Sequence, residues 1–186
     1  MKLIFGLGNP GKEYVNTRHN IGYQLLDFIC DKKGYSFLRN KFNADICDLS
    51  INGEKILLIK PLSFMNNSGE VVSKFVSFYK VDLDDILVIH DDLDLEFCKV
   101  KFVYDSRSGG HNGIKDIERC LGSRNYLRLK IGISNNKDID TKDYVLSKFT
   151  EEEKNSLLLV DKDLVNVIDD FCTLDRNKLM NKYNRK

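Results

Sequence analysis

Apolar positions along this chain follow two periods. Leu3, Ile4 and Phe5 form a short apolar run into Gly6, and a turn of Gly6, Gly8, Asn9, Pro10 and Gly11 follows, the pattern of a strand ending in a tight loop. Ile21, Leu25, Leu26, Phe28 and Ile29 then recur at helical spacing and fade near Gly34. Residues 44–51 and 55–59 run apolar or alternate on either side of Asn52-Gly53, a dipeptide that favours the tight turn of a β-hairpin. Pro61 stops the second run, a polar cluster opens a helix, and Val71, Val72, Phe75, Val76 and Tyr79 mark its buried stripe. Ile86, Leu87, Val88 and Ile89 predict a buried strand and residues 99–104 a second one. Ile114, Ile117 and Leu121 predict a short helix ending at Gly122, and residues 127–133 a strand with Arg128 and Lys130 on one face. Residues 135–142 read as a polar loop, and residues 151–172 as one amphipathic helix whose acidic first turn suits its dipole. Strands and helices interleave, and at least one hairpin interrupts the crossovers. The expected fold is α/β: a single-domain sandwich over residues 1–186, its central twisted mixed β-sheet flanked by helices, with a basic tail at 174–186.

Composition narrows the class. A chain of 186 residues fits one core, and 42% hydrophobic with 31% charged residues excludes a disordered or fibrous protein. No apolar run approaches the roughly 20 residues that span a bilayer, and the apolar part of MKLIFGLGNP is too short for a secretory signal. A cytoplasmic protein without a membrane partner is expected. Cys30, Cys47, Cys98, Cys120 and Cys172 are odd in number, widely spaced and contain no C-x-x-C pair, which points to reduced thiols and away from structural zinc. A net charge of +1 exerts no global pull on nucleic acid, so such a partner must meet a local patch. Residues 82–96 carry only acidic charge, residues 99–130 are mainly basic, and Arg176, Lys178, Lys182, Arg185 and Lys186 end the chain. Each cluster also reads as an ordinary solvated face.

Several polar residues stand where loops meet regular elements. His19 lies just before the first helix, with Asn20 placed as its N-cap, and there it reads either as a general base or as a capping or surface histidine. Asn66 opens the second helix as a cap, a turn former or a functional amide. His90, Asp91 and Asp92 follow a buried strand, where α/β sheets gather functional groups. The carboxylates there can bind metal, orient a histidine or face solvent; orientation of His19 is favoured because it too follows a strand end. Gly109, Gly110 and Gly113 around His111 and Asn112 let backbone approach a ligand closely. Gly6 to Gly11 satisfies G-x-G-x-x-G, yet no helix begins inside the turn and no second strand ends in an acidic residue about 20 positions on, so dinucleotide binding is rejected.

The stretches GLGNPGKEYVNTRHNIG (6–22), KPLSFMNNSGE (60–70), ILVIHDDLDL (86–95), GGHNGIKDI (109–117) and RLKIGI (128–133) occur in order, and with them the chain resembles a bacterial-type peptidyl-tRNA hydrolase over nearly its whole length. The resemblance implies a monomeric enzyme, without metal or cofactor and without a protein partner. Such an enzyme cleaves the ester between a peptide and the 3′-terminal ribose of tRNA, engaging the acceptor stem and 3′ end and recycling tRNA from aborted translation. Carried over by position, His19 is the base, Asp91 its carboxylate partner and Asn9 a catalytic amide. Tyr14, Phe64, Met65, Asn66, Gly109, His111 and Asn112 would line or close the substrate pocket. Lys99, Lys101, Arg107, Arg128 and Lys130 are the candidate tRNA contacts, because phosphate binding must supply much of the affinity. Neutral His19 would take a proton from water attacking the ester, with no serine elbow to serve as nucleophile. The chain departs from the family pattern at Val103, Lys130 and Ser106-Arg107-Ser108, positions that bear on tRNA 5′-end discrimination and loop mobility. Two other classes fit parts of the sequence, a non-catalytic RNA-binding protein on this fold and a general esterase.

Overall fold

The computed structural model describes residues 1–184; Arg185 and Lys186 of the expected tail lie outside the described residues. The apolar runs become strands β1 (Lys2–Gly6), β2 (Arg39–Lys41), β3 (Ala44–Ile51), β4 (Glu54–Pro61), β5 (Ile86–Asp92), β6 (Val100–Tyr104) and β7 (Leu127–Gly132). They form one mixed sheet in the order β2-β3-β4-β1-β5-β7-β6. The four central strands are parallel, β1 pairing with β4 and β5, and β5 with β7. The antiparallel pairs lie toward the two edges. Helices α1 (Ile21–Lys33), α2 (Ser68–Tyr79), α3 (Asn112–Leu121), α4 (Thr141–Val145), α5 (Glu151–Asp163), α6 (Val167–Thr173) and α7 (Arg176–Tyr183) complete the chain.

Because strand side chains alternate between faces, each central strand feeds two cores. Ile4, Ile56, Leu58, Leu87 and Ile89 pack with α1, α5, α6 and α7 on one face. Leu3, Phe5, Leu57, Ile59, Ile86 and Val88 pack with α2 and α3 on the other. Punctuation read from the sequence holds: Asn52 and Gly53 adopt φ of 51° and 81° in the β3–β4 turn, while Gly34 and Gly122 end α1 and α3 in the left-handed region. Cys30 and Cys47 are buried and all five thiols are free.

One expectation needs correction, and two elements were not foreseen. The helix expected over 151–172 breaks into α5 and α6. Val165 and Asn166 are weak helix formers, and the Leu164 N–H is shared between the Val160 and Asp161 carbonyls as the first helix tightens to its end. The basic tail, whose order the sequence leaves open, is largely helical in its described part. It is α7, with Leu179 buried in the core and Arg176 stacked 3.6 Å from the centre of the Tyr104 ring. Just past it, the Asn184 side chain accepts from the Phe102 N–H at 2.7 Å and donates to its carbonyl at 2.9 Å, closing part of the β6 edge. Finally, β2 was not expected, since Arg39-Asn40-Lys41 carries no apolar signal.

The close approach of α1 to the sheet positions everything that follows. A methyl group at Gly22 would stand 2.5 Å from both the Ile89 carbonyl oxygen and the Leu7 nitrogen, so only glycine lets the helix start reach the ends of β1 and β5. Gly22→Ala is therefore expected to cost about 1–3 kcal/mol as backbone is forced apart, read as a lower urea midpoint at unchanged slope. A wild-type midpoint would show that this contact does not set the helix position.

Candidate active site

Parallel β1, β4 and β5 end at the same side of the sheet, so the segments that follow them converge there. After β1 the chain makes a short 3₁₀ turn, Arg18–Asn20, which carries His19. β5 delivers Asp91. His19 Nδ1 lies 2.8 Å from Asp91 Oδ2, although the two residues are 72 apart in sequence. From the other side His111 Nε2 meets Asp91 Oδ1 at 2.9 Å. Asp91 is 1% exposed and His19 9%.

Hydrogen bonding assigns the protons. His111 Nδ1 accepts the Ile114 N–H at 3.3 Å as the N-cap of α3, so its Nε2 carries the proton and donates to Asp91. His19 Nδ1–H donates to the same ionised carboxylate, which leaves the Nε2 lone pair as the available base on a ring lining the cavity. A third imidazole stands behind them. His90 Nδ1–H donates to the Asp91 backbone carbonyl at 2.7 Å, and its Nε2 accepts from Arg128 Nη1 at 3.0 Å.

These environments push the groups apart. Burial opposes the charge of Asp91, yet the two imidazoles beside it hold its carboxyl well below the usual range. Burial also opposes a charged His19, but the Asp91 carboxylate outweighs it and raises His19 above its ordinary value. His90 and His111 are lowered, mainly by burial.

A cavity of about 570 Å³ opens in front of His19, and Asn9, Tyr14, Phe64, Met65, Asn66 and Asn112 line it. Asn9 Oδ1 accepts the Met65 N–H at 2.7 Å, tying the β1 loop to the loop after β4 and leaving the Asn9 amide nitrogen for the cavity. Tyr14 and Phe64 meet edge to face, 6.2 Å between centroids. Gly109 does not reach the wall; its neighbour Gly110 does, and His111 sits behind the wall on Asp91.

The structure adds and removes residues. Asn20 occupies the N-cap position of α1 but makes no side-chain cap bond; its amide pairs reciprocally with the Asn9 backbone at 2.8 and 2.9 Å, fixing the turn before His19. The segment 140–146, read as polar loop at its start, supplies a further wall with Lys142, Val145 and Leu146. The apolar pair after Tyr144 was its only sequence signal. Arg18, not singled out beforehand, anchors this wall beside His19. It pairs with both carboxylate oxygens of Glu153 at 2.9 and 3.1 Å, donates to Ser147 Oγ at 3.0 Å and lies over the Tyr144 ring. Of the five basic candidates, Lys99, Lys101 and Arg107 are exposed, while Lys130 is half-buried against Asp92 at 2.7 Å. Arg128 is corrected outright: it is 2% exposed, because its face of β7 is covered by the loop that precedes α3.

His19, Asp91 and His111 also form the one grouping with metal-type ligands among the described residues, their ligand atoms within 4.8 Å of one another. The two imidazole N–H groups already donate to the carboxylate, so the atoms a metal would use are engaged in hydrogen bonds.

Acid should destabilise this cluster. With His90 and His111 held below 6.5, the unfolded chain binds protons that the folded chain refuses as pH falls from 6.5, and Asp91 adds the same sign below 3.8. The contribution of His19 runs oppositely, complete below 6.5 and lost as pH rises through its raised value. Asp161, whose carboxyl burial raises to about 7, acts the other way over this interval, so urea-derived stability is expected to fall from pH 6.5 toward about pH 5 in an Asp161→Asn background. A flat or rising curve over that interval would contradict the assignment of His90 and His111 as neutral.

Comparison with known proteins places the chain among its relatives. The family profile described as Peptidyl-tRNA hydrolase matches residues 3–186. The peptidyl-tRNA hydrolase of Mycoplasma mycoides is 47% identical over 189 residues, covering 99% of this chain and 100% of that protein. That of Lactobacillus johnsonii is 42% identical over 185 residues, with 99% and 100% covered. The crystal structure of peptidyl-tRNA hydrolase from Acinetobacter baumannii superposes with a TM-score of 0.91 at 31% identity, covering 99% of this chain and 94% of that one. The chain belongs to the peptidyl-tRNA hydrolase family.

Proposed function

We propose that this protein hydrolyses the ester joining a peptide to the 3′-terminal ribose of tRNA, with His19 as general base. The observation that carries the reading is the hydrogen bond between His19 and Asp91, brought together from two loops far apart in the chain. His19 Nε2 takes a proton from water as that water attacks the ester carbonyl, a step worth about 10² to 10⁴ in rate. Asp91 keeps the ring in the required tautomer and stabilises the imidazolium that forms. The amides of Asn9, Asn66 and Asn112 offer donors to the developing oxyanion without adding charge. Tyr14, Phe64, Met65, Val145 and Leu146 give the pocket its apolar walls.

The RNA side follows from exposure. Lys99, Lys101 and Arg107 are exposed and Lys142 lines the cavity, so they are the natural contacts for phosphates of the acceptor stem and 3′ end. Arg128 is left out of that surface because it is buried.

His19→Ala should lower turnover of peptidyl-tRNA by about 10² to 10⁴ while leaving the affinity for deacylated tRNA nearly unchanged. Asp91→Asn should lose less, because the base remains although its orientation is weakened. Single-turnover hydrolysis and filter binding separate the two quantities. An active His19→Ala enzyme would refute the assignment of the base, and wild-type binding without hydrolysis would favour a non-catalytic RNA-binding protein.

A further inference from the structure

Arg128 lies in β7 behind the imidazole cluster, and its hydrogen-bond partners among the described residues are all uncharged. Nη1 donates to His90 Nε2 at 3.0 Å, and Nη2 donates to the Ser106 and Arg107 carbonyls at 2.9 and 2.8 Å. Glu118 and Asp92 act on it only through space, and Asp92 is already held by Lys130. A buried cation without a bonded carboxylate is costly, and a hydrocarbon of similar size would avoid that cost. What the hydrocarbon would leave is two loop carbonyls and an imidazole nitrogen without a donor. Two of these acceptors are adjacent carbonyls of one loop, met by Nη2, and the third is a ring on β5, met by Nη1. A planar guanidinium fork meets them together, whereas a lysine ammonium is a single point.

The loop that Arg128 grips leads straight to the site. The His111 N–H bonds the Ser108 carbonyl at 3.1 Å across a turn in which Gly109 and Gly110 have φ of 60° and 85°. Only Ser108, Gly109 and Gly110 therefore separate the second gripped carbonyl, that of Arg107, from the residue whose imidazole meets Asp91. The same arginine holds His90, whose ring packs edge-on against His111 with 4.8 Å between centroids. Arg128 does not line the cavity, so whatever it contributes passes through these two contacts.

We propose that Arg128 is a positioning residue for the hydrolytic site, clamping the Ser106–Arg107 backbone and the His90 ring so that Gly110 forms the cavity wall and His111 reaches Asp91. This rests on the reading of the cavity as the ester-hydrolysing site. Without the clamp, substrate must order the loop as it binds, while His19 and Asp91 stay in contact.

Arg128→Lys keeps charge and approximate size but cannot fork. It should raise KM for peptidyl-tRNA by about tenfold while kcat changes by less than about threefold. Affinity for deacylated tRNA should fall by less than about threefold, since Lys99, Lys101 and Lys142 keep their places and only Arg107 rides on the loosened loop. In a His111→Ala background the same substitution should add little, because both act through one loop. If Arg128→Lys does not fold, Gly109→Ala strains the same turn without touching the guanidinium and should reproduce the KM-against-kcat split. The proposal is overturned if KM stays at its wild-type value, if tRNA affinity falls in step with the rise in KM, or if the two substitutions are additive. Long-range ¹⁵N spectra of the histidine rings give an arm independent of turnover. In wild type His111 should show a single Nε2–H tautomer that becomes mixed in Arg128→Lys, and an unchanged His111 signature would count against the clamp even if the wild-type protein proved inactive on peptidyl-tRNA.

Discussion

A single buried carboxylate organises the functional end of this molecule. Asp91 has two oxygens and each is taken by a different imidazole, His19 at one and His111 at the other. At 1% exposure the charge has lost its water, and the two N–H donors replace that hydration with fixed dipoles. The arrangement is demanding. It requires three segments, the turn after β1, the end of β5 and the loop before α3, to agree in position to within hydrogen-bond tolerance, and the loss of either imidazole leaves an Asp91 oxygen unsatisfied in a dry place.

The sheet explains how that tolerance is met. Parallel pairing of β1 with β5 sets Gly6 beside Ile89, so the two chains leave the sheet side by side. Leu7 continues the ladder by donating to the Ile89 carbonyl at 3.0 Å, and Gly22 lets α1 descend onto the same spot. Asn9 and Asn20 lock the turn between them, Asn20 to the Asn9 backbone and Asn9 to Met65. The Tyr23 hydroxyl adds a further tie from α1 to the Pro61 carbonyl at the end of β4. Packing and backbone hydrogen bonds thus place His19 before any electrostatic interaction acts on it.

How much of this was legible in the sequence depends on whether the signal is local. The strands β1 and β5, the Asn52-Gly53 turn and the glycine helix stops are written in runs of neighbouring residues, and periodicity finds them. β2 is all polar and α7 has a single buried residue, Leu179, so neither has a period to detect. In the site, His19, Asp91 and the asparagines were recognisable from ordered motifs, which single out residues without saying what they touch. That one carboxylate serves two histidines is a tertiary fact. So is the fate of Arg128: strand alternation correctly put it on a face with Lys130, but only the path of a loop 21 and 22 residues earlier decides that this part of the face is covered. The polar tract at 135–142 hid a cavity wall for the same reason, since the packing of Arg18 against Tyr144 and Glu153 holds the following segment in place.

Three imidazoles within one cluster raise the question of which accepts a proton, and the field around them answers it. His90 and His111 are buried, and the Arg128 cation adds to burial in disfavouring a second positive charge on either ring. Their ring nitrogens are also committed, one to a donor and one to an acceptor in each case, so protonation would break an existing bond. His19 is the exception on both counts. It has the carboxylate without the guanidinium among its principal influences, its shift is upward, and its Nε2 has no protein partner among the described residues. The cation on one side of Asp91 and the cavity on the other therefore sort three imidazoles into two fixed donors and one ring with an open Nε2 on the cavity, the condition that the proposed role of His19 requires.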